Sequence, residues 1–205
     1  MTEETGDLYL VWPRGLRPPE VSMPAGYALR TAQIGSGDRD RLRELLAAGG
    51  RHLDAVEERQ LFDKILPNGL FFVVDEHREA RRAGIGDAVG TCAALHDPQG
   101  DGHYFPFGGE LGVLVVQKEH RRRGLGHALA AACVRRFRDA GYRSIRAGVD
   151  LDALPAAHLL LNLGFRPFAA DETTVGRWRR VYDRLGLVFD REQCVDAGSY
   201  HTRSR

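Results

Sequence analysis

The pattern of apolar and polar residues along this chain predicts a central strand that runs directly into a helix. Residues 111–116 form an apolar run of the length expected for a buried strand. A polar turn with three consecutive arginines follows. After it, apolar residues recur at helical spacing, at Leu125, Leu129, Ala132, Cys133 and Phe137. The order is therefore a strand, a basic glycine-containing loop and a helix.

Further elements are predicted before this stretch. The pattern indicates strands at 8–12, 27–31, 70–74 and 89–96, and helices from about 37 to 49 and from about 54 to 66. Residues 77–86 are predicted to be a loop or hairpin connection, and the glycine- and proline-rich residues 97–109 a long turn. This order suits antiparallel pairing of the strands at 70–74, 89–96 and 111–116.

After the central helix, which is predicted to end at Gly141, the pattern indicates a strand at 144–149 and a helix between Pro155 and Gly164. A helical crossover brings the chain back in the same direction, so the strands at 111–116 and 144–149 should be parallel. The sequence therefore predicts an α/β fold with a mixed sheet flanked by helices. In the tail, we expect a short helix at 178–185 and a final strand at 186–189.

The length of 205 residues suits one domain with short extensions. Residues 1–23 hold one short apolar run and a connector rich in proline and arginine, which indicates an N-terminal appendage. The domain itself is expected over residues 24–170. Residues 171–205 are expected to form a C-terminal extension that completes the sheet.

Composition argues against several classes of partner and location. The formal net charge is +1, so no global field draws the chain to nucleic acid or to a membrane. The three cysteines are widely spaced and form no Cys-x-x-Cys motif, so we expect a reduced, cytoplasmic setting and no metal site. The apolar run at 8–12 is too short for a signal peptide or a membrane span.

Residues 121–126 combine features that suit a phosphate. The first turn of a helix leaves backbone N–H groups without intrahelical partners, and the helix dipole attracts anions there. Gly124 and Gly126 let a bulky pyrophosphate approach, and Arg121, Arg122 and Arg123 add positive charge. Two alternatives remain open, because glycine-rich turns are common and an arginine triplet is often a solvated surface run. The Walker A and Gly-x-Gly-x-x-Gly templates both fail.

This stretch resembles a known signature. The motif Arg121-x-x-Gly124-x-Gly126, between an apolar strand and an amphipathic helix, is similar to the Gln/Arg-x-x-Gly-x-Gly/Ala signature of the GNAT N-acetyltransferases. The approach from Leu114 to His120 resembles the family's Leu-x-Val-x-Pro-x-x-Arg, with Lys118 where proline is usual. Residues 159–165, ending in Gly-Phe, resemble its Leu-Tyr-x-x-x-Gly-Phe. The resemblance covers about residues 24–170.

The resemblance implies an activity as well as a fold. It implies direct transfer of an acetyl group from acetyl-CoA, the co-substrate, to a primary amine on an unidentified small molecule, antibiotic, peptide or protein. The backbone of Leu114 and Val116 would bind the pantetheine arm. The pyrophosphate would lie on the loop formed by Arg121, Arg122, Arg123, Gly124, Leu125 and Gly126. A homodimer paired through an edge strand is compatible with this fold.

Glu110 is the candidate general base. It lies eleven residues before Arg121, where the family's histone-acetylating branch places its base. A carboxylate near a half-buried strand could have a raised pKa and take a proton from the acceptor directly or through water. The alternative is a strand-end glutamate that simply faces solvent. His103 and Tyr104 are alternative proton relays.

The sequence departs from the family pattern in two places. Leu160 stands where the general-acid tyrosine is common, and Ala153 where an asparagine often contacts the cofactor. His158 is an unconvincing substitute, because it lies about 200° away from Leu160 around a helix. Either the thiolate leaves without a dedicated acid, or water, Tyr182 or Tyr200 supplies the proton, or the chain is a non-catalytic acyl-CoA-binding or regulatory module. Nucleic-acid binding through the arginine triplet is a weaker hypothesis, since no wider basic patch accompanies it.

Overall fold

The computed structural model describes residues 8–33, 37–76, 88–100, 103–104, 108–196 and 198. They group into two compact units. The terminal unit comprises the described parts of 1–17, 97–110 and 141–205, and the central unit those of 18–96 and 111–140. The predicted connection at 77–86 lies outside the described residues.

Ten strands and five helices have the following bounds. The strands are β1 (Leu8–Val11), β2 (Tyr27–Thr31), β3 (Ile65–Asp75), β4 (Ala88–His96), β5 (Gln99–Gly100), β6 (His103–Tyr104), β7 (Gly108–Val116), β8 (Ser144–Val149), β9 (Arg166–Ala169) and β10 (Val195–Asp196). The helices are α1 (Asp38–Ala48), α2 (Ala55–Lys64), α3 (Leu125–Asp139), α4 (Leu154–Leu163) and α5 (Glu172–Leu185). Short 3-10 turns cover Lys118–His120 and Arg191–Gln193. These bounds refer to the described part of the chain.

In the central unit the strand order is β7-β4-β3-β2. β2 and β3 are antiparallel, with Leu29 opposite Val73, and so are β3 and β4, with Phe72 opposite Thr91. The antiparallel pairing predicted for residues 70–74 and 89–96 is thus confirmed. The register shifts between Ile65 and Leu70, where β3 is irregular.

Helices α1 and α2 cover one face of the central unit's sheet. Asp54 begins α2 with a capping box, in which its carboxylate accepts from the Val56 and Glu57 N–H groups and Glu57 accepts from the Asp54 N–H. The apolar side chains of the two helices pack onto the strands. Together, the helices and strands form a buried apolar cluster. It comprises Leu42, Leu45, Leu46, Leu61, Leu70, Phe72, Val74, Ala88, Ala93, Leu95 and Val113.

Helix α3 packs against β3 and β4, and Gly90 in β4 allows a close approach because it has no side chain. A Cβ atom there would lie 3.0 Å from the Val115 carbonyl oxygen and 3.2 Å from Leu129 Cδ1. The helix ends as predicted, with Gly141 in the left-handed region at φ 80°.

In the terminal unit the strand order is β10-β9-β1-β8-β7, where β7 contributes its first three residues. β1 is antiparallel to both β8 and β9, since Leu10 lies opposite Ala147 on one side and Pro167 on the other. β7 and β8 are parallel, as predicted, and β9 and β10 are parallel too. The short run expected in the N-terminal appendage thus forms hydrogen-bonded strand β1. The mixed sheet flanked by helices confirms the predicted fold class.

The tail differs from the sequence prediction. Helix α5 begins at Glu172, six residues earlier than expected, because Asp171 caps it by accepting from the Thr174 N–H at 2.7 Å. The strand predicted at 186–189 was wrong. Gly186 ends α5 in the left-handed region at φ 68°, and Val188 is 92% exposed. The last strand is β10, which pairs with β9.

Candidate functional site

Strand β7 is paired with β8 over its first three residues only. The register joins Gly108 to Ser144, Gly109 to Ile145 and Glu110 to Arg146, and β7 then continues to Val116. Backbone groups of a strand alternate between its two edges. Beyond Glu110, the edge of β7 away from β4 can therefore present N–H and C=O groups to a ligand that carries amides.

Val113 interrupts the regular course of β7. Its φ of 48° is an outlier for a β-branched residue, which strongly disfavours the left-handed region. Val113 and Val115 pack with the cluster beneath α1 and α2, while Val116 lies near Gly90 on the side of α3. Leu114 and Val116, the predicted pantetheine contacts, are both half-buried.

The loop 117–124 joins β7 to α3 and is anchored by backbone carbonyls. The Gln117 N–H donates to the Val89 carbonyl at 2.8 Å. Arg121 Nε donates to the Val116 carbonyl at 2.9 Å, and Arg123 Nη2 to the Glu119 carbonyl at 3.5 Å. Two of the three predicted arginines thus help to shape the loop that carries them.

Two left-handed residues give the loop its curvature. Arg122 has φ 62° and Gly124 has φ 84°. Successive N–H groups in such turns converge into concavities that bind anions. Space does not demand glycine at position 124, since a Cβ would meet Pro24 Cγ at an ordinary 3.8 Å. The backbone conformation demands it.

The first turn of α3 presents N–H groups to the loop. Its first intrahelical bond runs from the Ala128 N–H to the Gly124 carbonyl at 3.1 Å, so the N–H groups of residues 125–127 precede the helical ladder. The helix has no side-chain cap and no acidic residue in its first turn. Leu125 is 1% exposed, so its side chain belongs to the core and only its backbone suits a ligand. The arrangement fits a diphosphate.

Two residues whose contacts support this loop, His120 and Tyr27, were not identified from the sequence. His120 is 7% exposed, and its Nδ1 lies 2.9 Å from the Tyr27 hydroxyl. The Arg123 guanidinium lies over the Tyr27 ring, 6.0 Å from its centroid. His120 stands in the recognised stretch before Arg121, but nothing in the sequence connects it to Tyr27, 93 residues away.

Glu110 lies in the terminal unit and forms an ion pair there. Its Oε2 accepts from Arg146 Nη2 at 2.7 Å, and its side chain is 27% exposed while that of Arg146 is 1% exposed. The guanidinium stabilises the ionised carboxylate, which is the form that accepts a proton, so this contact works against the raised proton affinity expected for Glu110 from the sequence. Glu110 therefore has a defined buried partner. A lone arginine within the apolar strand 144–149 was the only sequence signal of that partner.

The other proton donors considered from sequence are placed as follows. Leu160 is 2% exposed and packs in the core, Ala153 precedes α4 as its N-cap, and His158 is exposed. Tyr182 is half-buried, and burial is the main cause that raises its pKa. The structure describes the backbone of His103 and Tyr104 in β6, and Tyr200 lies outside the described residues.

The described residues show neither a metal-binding group nor a membrane-spanning helix. Across these ranges, no three histidine, cysteine, aspartate or glutamate side chains are grouped so as to hold a metal ion. None of the helices in this part of the chain combines the length and the apolar character needed to cross a membrane.

Comparison with known proteins matches a family model described as "Acetyltransferase (GNAT) family" to residues 39–165. Two curated relatives are mycothiol acetyltransferases. That of Kocuria rhizophila is 28% identical over 161 residues, which cover 75% of this chain and 50% of the relative. That of Rhodococcus erythropolis is 29% identical over 160 residues, which cover 75% and 51%. The chain thus spans about half the length of the curated relatives it matches.

A solved structure agrees with the fold. The GCN5-related N-acetyltransferase of Sphaerobacter thermophilus superposes with a TM-score of 0.60 at 18% identity, covering 79% of this chain and 48% of that one. At this identity the likeness concerns the fold alone.

Proposed function

The chain belongs to the acetyltransferase (GNAT) family, and we propose that it transfers an acetyl group from acetyl-CoA directly to a primary amine. The observation that carries the proposal is the loop between β7 and α3. It combines left-handed residues, three arginines and an uncapped helix start within the matched range 39–165. Each of these features favours a diphosphate.

The proposed binding of acetyl-CoA begins at this loop. The N–H groups of Gly124, Leu125 and Gly126 would hold the pyrophosphate, and Arg121, Arg122 and Arg123 would balance its charge. The backbone of Leu114 and Val116 would bind the amides of the pantetheine arm along the edge of β7. In this proposal, positive charge binds the phosphates, and backbone hydrogen bonds like those between strands bind the pantetheine arm.

The proposed reaction needs one base. As the amine nitrogen attacks the thioester carbonyl carbon, a C–N bond forms and the C–S bond breaks. Glu110, ionised beside Arg146, would take the proton that the amine loses, directly or through one water. The CoA thiolate takes a proton from solvent. A thiol with a pKa near 8.5 is a good leaving group, so the reaction does not require an acid at Leu160.

The acceptor is proposed to be a small-molecule amine. Support comes from the curated relatives, which are named for mycothiol. The comparison extends over about half of each relative, so mycothiol-related amines head the panel to be tested rather than define it.

The test is multiple-turnover release of CoA from acetyl-CoA, followed with a thiol reagent across a panel of amines. Amine-dependent release well beyond one equivalent per chain supports an acetyltransferase. The Glu110→Gln variant should retain acetyl-CoA binding and lose turnover by at least about 100-fold. Tight binding of acetyl-CoA without turnover on any amine would contradict the catalytic proposal.

That outcome would favour a second candidate, a non-catalytic acyl-CoA-binding or regulatory module. Its supporting observations are the buried Leu160 and the Ala153 cap, which replace a proton donor and a polar cofactor contact. The two candidates share the loop and differ only in turnover.

Location and assembly complete the proposal. We place the protein in the cytoplasm because its described cysteines, Cys92, Cys133 and Cys194, are free thiols. A homodimer would form through β2, which is an edge strand of the sheet in the described part of the chain. Light scattering across a range of concentrations tests the dimer.

A further inference from the structure

Arg146 is a charged side chain in an unusual position. It lies in β8 with Glu110 opposite it in β7 and Val11 opposite it in β1, and it is 1% exposed. A buried guanidinium is costly unless it is paired, and an apolar residue of similar size in such a place is often at least as stable. The stability of the fold therefore does not by itself require an arginine at position 146.

The contacts of Arg146 converge on Glu110. Nη2 donates to Glu110 Oε2 at 2.7 Å and lies 3.4 Å from an Asp97 carboxylate oxygen. Nη1 donates to the Asp97 main-chain carbonyl. The guanidinium carbon lies 5.7 Å from the centroid of the Tyr9 ring. Tyr9 in β1 and Asp97 in the connection between β4 and β5 thus hold the guanidinium, and the guanidinium holds the carboxylate.

We propose that Arg146 is the positioning residue for Glu110, holding its carboxylate ionised and in one orientation for proton transfer from the acceptor amine. This rests on the proposed acetyltransferase function. Glu110 is 27% exposed, so it remains open to solvent while its partner is buried. A carboxylate held by a rigid, fully buried cation keeps its geometry without help from the substrate. Asp97 would affect Glu110 indirectly, by holding the Arg146 guanidinium in place.

The test is a double-mutant cycle on kcat with Arg146→Met and Glu110→Gln. Alone, Arg146→Met should lower kcat about 10- to 100-fold, as expected when a catalytic group is misplaced. In the Glu110→Gln background it should change kcat less than twofold, because the group it positions is gone. Arg146→Lys should restore part of the lost rate.

The pH profile supplies a readout that a purely structural role would not move. Arg146→Met removes the cation that lies 2.7 Å from Glu110 Oε2, so the carboxylate binds protons more tightly. The acidic limb of kcat against pH should therefore move to higher pH in Arg146→Met. Asp97→Asn removes an anion that shares the same guanidinium, so it should move the acidic limb the other way, to lower pH, and it serves as the test if Arg146→Met does not fold.

Arg177→Met is the matched control, because Arg177 is another buried arginine of the terminal unit at 8% exposure. It should lower thermal stability and leave kcat and the pH profile of the folded fraction unchanged. Equal, additive losses of kcat from Arg146→Met with and without Glu110 would overturn the inference. If the wild type failed to bind acetyl-CoA in a thermal-shift assay, the proposed function itself would fail, which is a separate result.

Discussion

The hydroxyl of Tyr27 lies 2.9 Å from Nδ1 of His120, and the two rings meet edge to face with centroids 5.8 Å apart. His120 is the one buried residue in the fully described loop 117–124. The contact ties that loop to β2, so the geometry of the loop depends on a strand far away in sequence.

Replacing Tyr27 by phenylalanine tests this contact. Tyr27→Phe keeps the ring packing and removes the hydroxyl, leaving His120 Nδ1 without its partner. We expect the free energy of unfolding to fall by about 1–2 kcal/mol. The affinity for CoA, measured by calorimetry, should fall several-fold because the loop is less ordered. Tyr142→Phe, outside the central unit, should leave CoA affinity unchanged. Equal CoA affinity in Tyr27→Phe and wild type would show that the contact does not support the site.

The left-handed conformation of Gly124 allows a comparison of two glycines. Gly124→Ala and Gly50→Ala both place a side chain at φ near 84°, with no atom closer than 3.8 Å to the new methyl group. Each should lose about 1–2 kcal/mol of stability from backbone strain. Only Gly124→Ala should also weaken CoA binding, by about tenfold. If both variants bound CoA like the wild type, the left-handed turn would have no part in phosphate binding.

Arg122 gives the cleanest test of charge in the triplet. Arg121 and Arg123 donate to carbonyls of the loop, so changing them alters its shape as well as its charge. Arg122→Gln should weaken CoA binding by about 1.5–3 kcal/mol, the usual contribution of a hydrogen bond to a charged group. The dependence of binding on salt should become shallower. The exposed Arg135, near the other end of α3, is the control, and Arg135→Gln should bind CoA normally.

Burial of Cys133 makes stability depend on alkaline pH. The pKa of this thiol is raised well above its ordinary value of 9.0, first by burial and then by the hydrogen bond to Cys92. The folded state therefore keeps a proton that the unfolded state releases. The stabilisation that comes from this protonated thiol is fully present below pH 9. As the pH rises further, the free energy of unfolding falls by about 1.4 kcal/mol per pH unit.

Urea unfolding between pH 7 and pH 10.5 measures that slope. The stability gap between wild type and Cys133→Ala should be constant up to about pH 8.5 and should narrow above pH 9. Cys194→Ala is the control, since Cys194 is only partly buried and its pKa is raised less. Parallel curves for wild type and Cys133→Ala over the whole range would contradict the assignment.

Most helices and strands could be predicted because their signals, apolar runs, turn residues and caps, lie among neighbouring residues. β2 and β8 match their predicted ranges, since turn residues bound each apolar run. The capping role of Asp171 was missed, although its spacing to Thr174 is a helix-start signal. The strand expected at 186–189 rested on apolar character alone, and the exposed Val188 shows that an apolar residue need not be paired.

The candidate site was only partly predictable. The motif identified the loop because its glycines and arginines are adjacent in sequence. The partners of that loop and of Glu110 are not adjacent. Tyr27 and His120 are 93 residues apart, and Glu110 and Arg146 are 36 apart. Such pairs depend on strand order and register, which a single sequence does not encode in any short pattern.

Titration of the protein with acetyl-CoA during thermal unfolding tests the central proposal most directly. A ligand at 100 times its Kd stabilises the native state by about 2.7 kcal/mol. For a chain of this size that corresponds to a rise in Tm of about 5–10 °C. We expect a saturable rise of this size for wild type and Glu110→Gln, and a smaller rise for Gly124→Ala. No rise in the wild type at millimolar acetyl-CoA would contradict it.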